Sequence, residues 1–338
     1  MSAAAQPQNP ARTFRQLMEA IETLSPRQLE EPVSRALSAR SRKEAHADIE
    51  HYSGHGCPHC GHGKMQKWGT TPTGIQRQRC AACGRTSSAL TGSPLRGLHH
   101  FDRFLDMLRD MLSDQPLSCR KLAAKLQVSK DTIWRWRLRA LKHLSGGSDQ
   151  TFAGIIEADE TFQRESRKGS REWARHAADP TTHPQPPRLQ WHRYKSGRFK
   201  MQRGLSRWQL PIITVVDRSG RKLFQRIRDC KHATIDQVLV APLVPADAEL
   251  CTDAAPAYGS FAASRNIAHF VVRNAPNQRL ASPAHHIQNT NSLHSRYEEF
   301  IRRFRGPASK YLPLYLAWFL YAQRGTQPRT AFAEIIRA

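Results

Sequence analysis

Acidic residues are scarce in this chain. Among 338 residues, 28 Asp and Glu stand against 52 Lys and Arg, a formal charge of +24. Long hydrophobic runs are also missing. The longest, Tyr311–Ala322, is twelve residues and contains Pro313, whereas a membrane-spanning helix needs about 20. The opening MSAAAQPQNPARTF has no apolar core segment, so no secretory signal is expected. Cysteine is too sparse and too irregular for a disulfide framework: there are seven, four in two Cys-x-x-Cys pairs, with Cys119, Cys230 and Cys251 scattered. That usage points to metal ligation in a reducing cytosol. There is no internal repeat and no long low-complexity run.

What is present is a chain with enough apolar residues (39%) to build cores, long enough for two or three domains. A charge excess of this size repels itself in the compact state and is tolerated where the partner is a polyanion. With no membrane span expected, the favoured partner is nucleic acid.

The chain divides by pattern. Residues 1–10 read as a loose tail and 12–40 as two helices, the second announced by Ser25 as cap, Pro26 at the first position and Gln28 completing a capping box. Residues 41–56 are polar and His-rich and read as linker. Residues 57–100 are rich in Gly and Thr, carry both Cys-x-x-Cys pairs, and hold six basic residues with no acidic one. Phe101, Phe104, Leu105, Leu108 and Leu112 share one face of a helix over 101–112. Two short helices are expected over 117–143, and Ser145-Gly146-Gly147-Ser148 marks a boundary. Beyond it, strands are expected at Ile155-Ile156, Leu210–Val216, Lys222–Arg228, Glu249–Cys251 and Phe270–Val272, and helices over 234–244, Ala255–Arg265, 291–304 and 308–323. Strands gathered first, then strands alternating with helices, imply one mixed-sheet α/β domain.

Cys57-x2-Cys60 and Cys80-x2-Cys83, separated by residues 61–79, have the spacing of a zinc ribbon. Each pair supplies two sulfurs from a tight knuckle, and four thiolates satisfy a structural Zn²⁺. The basic surroundings suit contact with phosphates. Leu122–Trp136 has the two-helix register of a helix-turn-helix: Ala123 is small enough for a close crossing, and Leu126, Val128, Ile133 and Trp136 fill the space between. Ser129 caps the second helix, which carries Lys130, Arg135, Arg137 and Arg139 as candidate DNA contacts. Gln127 stands where such turns commonly have Gly.

Asp159 ends a strand in IIEADET and Asp253 another in ELCTDAAPAY. Carboxylates from separate elements are what a pair of Mg²⁺ ions needs in phosphoryl transfer. An isolated Asp at a strand end is otherwise a turn or cap residue, and Asp217 in VVDRSG reads as a hairpin turn.

The succession of four-cysteine ribbon, helix-turn-helix, ADET, CTDAAPAY and NTNSLHSRYEEFIRRFRGPASKYLPLYLAW resembles bacterial insertion-sequence transposases of the DDE superfamily that carry a zinc ribbon. The likeness runs from about Cys57 to Trp318 and is densest in the last block. It implies a ribonuclease-H-like core. Asp159 and Asp253 match the first two catalytic acids, and Asn291 takes the third position, as in an Asp-Asp-Asn variant. Family members often have Lys seven residues later, where this chain has Glu298. Glu298, on the same helix face, or Glu299 is the alternative third ligand. His294, one turn from Asn291, either contacts DNA or a metal-bound water, or is structural.

The resemblance implies an α/β protein with an N-terminal helical segment (1–50), a zinc ribbon (51–100), an all-α helix-turn-helix region (101–148), a ribonuclease-H-like catalytic domain (149–325) with a basic insertion (163–207), and a C-terminal tail (326–338). In the insertion, Thr181–Leu210 has seven basic residues, no acid, and Trp191, Tyr194 and Trp208 interleaved, which suits groove or base contacts. The expected cofactors are one structural Zn²⁺ and two catalytic Mg²⁺. The expected partners are double-stranded DNA, as transposon ends and target, and a second copy in at least a dimer. The expected place is the bacterial cytoplasm, at the nucleoid. The alternative is a catalytically inactive, zinc-ribbon DNA-binding regulator derived from a transposase. Either way, DNA affinity measured between 50 and 200 mM salt is expected to fall by about 10³-fold or more, the response of a protein that neutralises six or more phosphates. A salt-insensitive affinity would contradict this reading of the charge.

Overall fold

The computed structural model describes residues 10–51, 56–144, 151–186, 192–193, 199–200, 206, 208–273 and 282–337. In chain order the first elements are α1 (Pro10–Glu22), α2 (Pro26–His51), β1 (Met65–Thr70), β2 (Gln76–Cys80), β3 (Thr86–Ser88), α3 (Phe101–Met111), α4 (Cys119–Leu126) and α5 (Lys130–Leu144). Then come β4 (Phe152–Arg164), α6 (Glu172–Ala178), β5 (His192–Arg193), β6 (Phe199–Lys200), β7 (Gln209–Asp217), β8 (Lys222–Arg226), α7 (His232–Leu239), β9 (Leu243–Thr252), α8 (Pro256–Arg265), β10 (Ala268–Val271), α9 (Gln288–Arg302), α10 (Leu312–Ala322) and α11 (Pro328–Arg337). The content is mixed α/β, as expected. The chain separates into two compact units, residues 1–136 with 327–338, and residues 137–326.

In the first unit, Ser25 precedes α2 as its sequence implies: its backbone N–H and its hydroxyl both donate to Gln28 Oε1, at 3.0 and 2.7 Å. The expectation of a linker at 41–56 is corrected, because α2 continues to His51. Ser41, Ala45 and Ile49 recur every four residues and are all buried, a narrow stripe that the surrounding polar residues conceal. Ser41 is tied to α3 through Asp106 Oδ1 at 2.8 Å, and Arg109 of α3 bonds Ser41 and Glu44. The supposed tail is corrected as well. Its residues form α11, whose Phe332 is fully buried against Phe104 of α3, ring centroids 6.1 Å apart, and whose Arg329 pairs with Asp48 of α2 at 2.5 Å. β1, β2 and β3 form a three-stranded antiparallel sheet.

The two helices expected over 117–143 are α4 and α5. Ser118 Oγ accepts from the Lys121 N–H at 3.3 Å, and Ser129 Oγ accepts from the Thr132 N–H at 3.0 Å, so each helix begins on a serine cap. Between them Gln127 adopts φ 51°, ψ 48°, the left-handed conformation that closes a helix. The Val128 N–H then reaches Ala123 O at 3.1 Å.

The second unit is built on a five-stranded sheet in the order β10-β9-β4-β7-β8. β7 pairs antiparallel with both β4 and β8, while β9 is parallel to β4 and β10 to β9. One sheet face buries Ile156, Ala158, Ile213, Val215 and Leu250 against Ile235 and Leu239 of α7 and Tyr258 and Phe261 of α8. On the other face lie α9 and α10, where Phe224, Tyr297 and Phe319 pack ring to ring at 4.8–5.6 Å. Asp217 makes the expected hairpin turn, its Oδ1 accepting from Ser219 Oγ at 2.7 Å and Arg221 N–H at 2.9 Å. The boundary at 145–148 lies outside the described residues. No helix among those described is long and apolar enough to cross a membrane.

A left-handed conformation costs a residue with a side chain about 1–2 kcal/mol. Gln127→Gly is therefore expected to raise stability by about 1 kcal/mol in a denaturant titration, with no change in the helix content. A destabilised variant would show that the Gln127 side chain contributes more than its backbone costs.

Candidate functional site

Two constellations of chemically capable side chains occur, one in each unit. In the first, each cysteine pair sits in a knuckle of the same design. The Cys57 N–H bonds His62 O and the Gly61 N–H bonds Cys57 O, both at 2.9 Å; the Cys80 N–H bonds Arg85 O at 2.9 Å and the Gly84 N–H bonds Cys80 O at 3.1 Å. Gly61 and Gly84 hold equivalent places, at φ 73° and 70°, which a residue with a Cβ would strain to reach. The knuckles bring the four sulfurs within 4.8 Å of one another. Cys57 and Cys83 are 3.6 Å apart at Sγ, Cys60 and Cys80 3.7 Å. A tetrahedron with metal–sulfur bonds of about 2.3 Å has edges of about 3.8 Å, so the set fits a metal ion without rearrangement. The amide N–H of Cys83 leads in lowering the Cys80 thiol to about 6, toward the thiolate form that ligates.

The second constellation lies on β4. Its alternation puts Glu157 and Asp159 on the α9 side of the sheet and Ala158 and Glu160 on the α8 side. Asp159 does not end its strand, as the sequence suggests. β4 runs on to Arg164, and it is the neighbouring β9 that stops, one residue before Asp253. Parallel register pairs Glu157 with Cys251, so two residues further Asp159 and Asp253 come level. Asp253 Oδ1 is held by the Ala255 N–H at 2.9 Å. Burial raises Asp159 to about 6, with repulsion from Asp253 adding to it. Burial likewise raises Glu160 to about 7, the charges of Asp159 and Asp253 adding to the rise and the nearby Tyr258 hydroxyl opposing it. That hydroxyl is buried without a hydrogen bond of full geometry. Cys230 senses the same negative field: burial, with Glu160, Asp229 and Asp253, pushes its thiol up to about 12.

Helix α9 supplies the third side of the site. Its N-terminus is fixed by Glu157, whose side chain is fully buried. The Glu157 carboxylate accepts from the Asn289 N–H at 2.8 Å, Asn289 Nδ2 at 2.7 Å and the Thr290 N–H at 3.0 Å, and it pairs with Arg218 and, at 3.2 Å, His286. A carboxylate among the free N–H groups of a helix start is favourable. Two residues along the strand, the facing residue of α9 is His294. Its Nδ1 is 3.9 Å from Asp159 Oδ2, and its Nε2 is 2.7 Å from Oγ1 of Thr214, the cross-strand neighbour of Asp159. Burial lowers His294 to about 4.

The sequence-expected residues therefore fare differently. Asp159 and Asp253 are brought level on adjacent strands. Asn291 and Glu298 are exposed on α9, on either side of His294 in the i, i+3, i+7 series. Glu299 pairs outward with Arg303 at 3.0 Å. Lys130 and Arg135 are exposed on α5 and Arg139 is half-buried. Arg137 is corrected as a DNA contact: it is 2% exposed, with its guanidinium 5.3 Å from the Trp318 ring. Trp191 and Tyr194 lie outside the described residues, while Trp208 stacks with Arg167 at 5.7 Å. Glu157, Glu160, Thr214 and Tyr258 escape a reading by motif. The alternation Glu157-x-Asp159 is the one signal in the sequence that places a second acid on the same strand face.

A carboxyl group raised on folding binds its proton more tightly in the native state, so stability falls as pH rises through the window between its unfolded and folded values. For Asp159 that window runs from 3.8 to about 6. Asp159→Asn is expected to stabilise the protein at pH 8 by up to about 3 kcal/mol and to have no such effect below pH 4, as read from denaturant unfolding at both pH values. An equal effect at the two pH values would rule out the charge penalty. Compared with protein-family models the chain matches none, and a search of the curated proteins finds no match.

Proposed function

We propose that this protein is a DNA transposase of a bacterial insertion sequence, acting on the nucleoid in the cytoplasm. The observation that carries the reading is the pair Asp159 and Asp253, level on adjacent strands and repelling each other strongly enough to help hold Asp159 at about 6. Two carboxylates left in this state favour the binding of a cation. Mg²⁺ is commonly held by one or two carboxylates, waters and substrate phosphates, and the pair here fits that habit. Asp159, Asp253 and Asn291 would be the residues that hold the ions. Ions so held supply activation of the attacking oxygen and stabilisation of the leaving oxygen. The protein's own part would be to fix that pair on a sheet in which three antiparallel strands are followed in the chain by two parallel ones, an order that supports the ribonuclease-H-like reading. Water is the first nucleophile on DNA, and the freed 3′-hydroxyl then attacks the target strand.

DNA recognition belongs to the other unit. The four cysteines take a structural Zn²⁺, making 57–88 a zinc ribbon. On its exposed face Trp68 and Arg79 stack at 4.6 Å in a segment without acids, a surface suited to a nucleic acid. Lys130 and Arg135 at the start of α5 serve in a helix-turn-helix. Both transposon ends must be held together, so the active complex is at least a dimer.

A second reading, an inactive DNA-binding regulator, is favoured by one observation. Among the described residues the cysteines are the one group of three or more His, Cys, Asp or Glu donors close enough to share an ion, so no third acid completes the Asp159–Asp253 pair. Strand transfer on end-bearing DNA with Mg²⁺ separates the two. The transposase nicks and joins, and Asp253→Ala reduces both reactions to background while end binding is retained. A protein that binds ends tightly and never nicks is the regulator, and full activity in Asp253→Ala overturns the catalytic assignment.

A further inference from the structure

His294 is not explained by packing alone. Its Nε2 lies 2.7 Å from Thr214 Oγ1, a full hydrogen bond, while its Nδ1 faces Asp159 Oδ2 at 3.9 Å, beyond hydrogen-bond reach. Were Nδ1 a donor, the carboxylate beside it would be expected to close to about 2.8 Å. With the proton on Nε2 and given to Thr214, Nδ1 instead presents a lone pair to a carboxylate oxygen. In that tautomer two acceptors face each other across a gap, an arrangement that a positive charge between them relieves.

The 3.9 Å separation lies within the span that a shared cation allows, a few tenths of an ångström from the value for opposite ligands. An ion about 2.1 Å from each of two ligands leaves them about 3.0 Å apart when adjacent and about 4.2 Å apart when opposite. The surroundings suit it too. A ligating imidazole characteristically gives its other N–H to a fixed acceptor, which sets its tautomer and orientation, and Thr214 is fully buried and adjacent in register to Asp159. Strand, cross-strand partner and helix thus hold two donor atoms and one orienting group in a fixed triangle.

We propose that His294 Nδ1 and Asp159 Oδ2 ligate one divalent cation, with Thr214 as the positioning residue for the imidazole. The inference rests on the metal-dependent reading above and changes it: the α9 ligand is His294, and Asn291 is left to face substrate or water. A nitrogen ligand favours Mn²⁺ over Mg²⁺ more than an all-oxygen set does.

The test is Mn²⁺ binding to the full-length zinc-loaded protein, followed by the electron paramagnetic resonance signal of free Mn²⁺, alongside the nicking assay. Thiolate sites holding zinc do not compete for Mn²⁺. His294→Ala and Thr214→Val are each expected to weaken Mn²⁺ by about 10- to 100-fold, and Thr214→Ser, which keeps the hydroxyl, to restore it. His294→Asn, with circular dichroism matching the wild type, guards against a folding artefact and is expected to lose affinity likewise. Wild-type Mn²⁺ affinity in His294→Ala and His294→Asn, with binding and nicking lost in Asp253→Ala, overturns the role of His294 and leaves the transposase reading standing. No Mn²⁺ binding by the wild-type protein overturns both.

Discussion

The buried carboxylate of Glu157 is the interaction on which the geometry of the second unit turns. It is fully enclosed, and its partners are the first N–H groups of α9, the Asn289 amide, Arg218 and His286. A buried charge without such partners costs several kcal/mol, so β4 and the start of α9 keep one relative position. That position decides which turn of α9 faces Asp159 two residues away. Loss of one partner would leave a charge in the core, whereas an apolar contact would allow the helix to slide. The polar clamp thus supplies registry, the best-attested use of buried ionic groups.

The same unit sets charges of one sign against the field of the whole chain. Asp159, Glu160 and Asp253 gather in a protein carrying +24, yet burial and mutual repulsion still raise Asp159 and Glu160. The long-range positive field is screened within about 10 Å at ordinary salt, while the short-range repulsion acts inside the fold. A positive long-range field and a locally negative site therefore coexist in one chain.

Much of the fold is legible in the sequence because local rules and packing agree. Ser25-Pro26, Ser129 and VVDRSG carry their turn and cap chemistry in the residue types themselves, and the apolar runs of β7 and α10 leave little choice of structure. The misreadings come where tertiary contacts decide. The stripe Ser41, Ala45, Ile49 is too small and too polar at one end to signal a helix until α3 covers it. Arg137 reads as one more cation of a basic helix, and only the Trp318 ring reveals it as an interior residue. Within the site, Asp159 and Asp253 stand out as acids at strand ends. Glu157 and Thr214 do not, and His294 is named in the sequence with its role left open, because these roles depend on strand pairing and on the docking of a helix more than 130 residues away.

The overhang of β4 beyond β9 has a consequence for how the protein can vary. From Asp159 to Arg164 the strand pairs only with β7, Arg164 opposite Gln209, and the Glu165 N–H adds one more bond to Trp208 O at 2.7 Å. The chain therefore leaves β4 and returns into β7 side by side, the ends of the intervening segment clasped by the ladder. Doubling the length of such a loop costs only about 0.6 kcal/mol of closure entropy. A change of length between those two ends leaves the β4–β7 ladder that carries Asp159 in register.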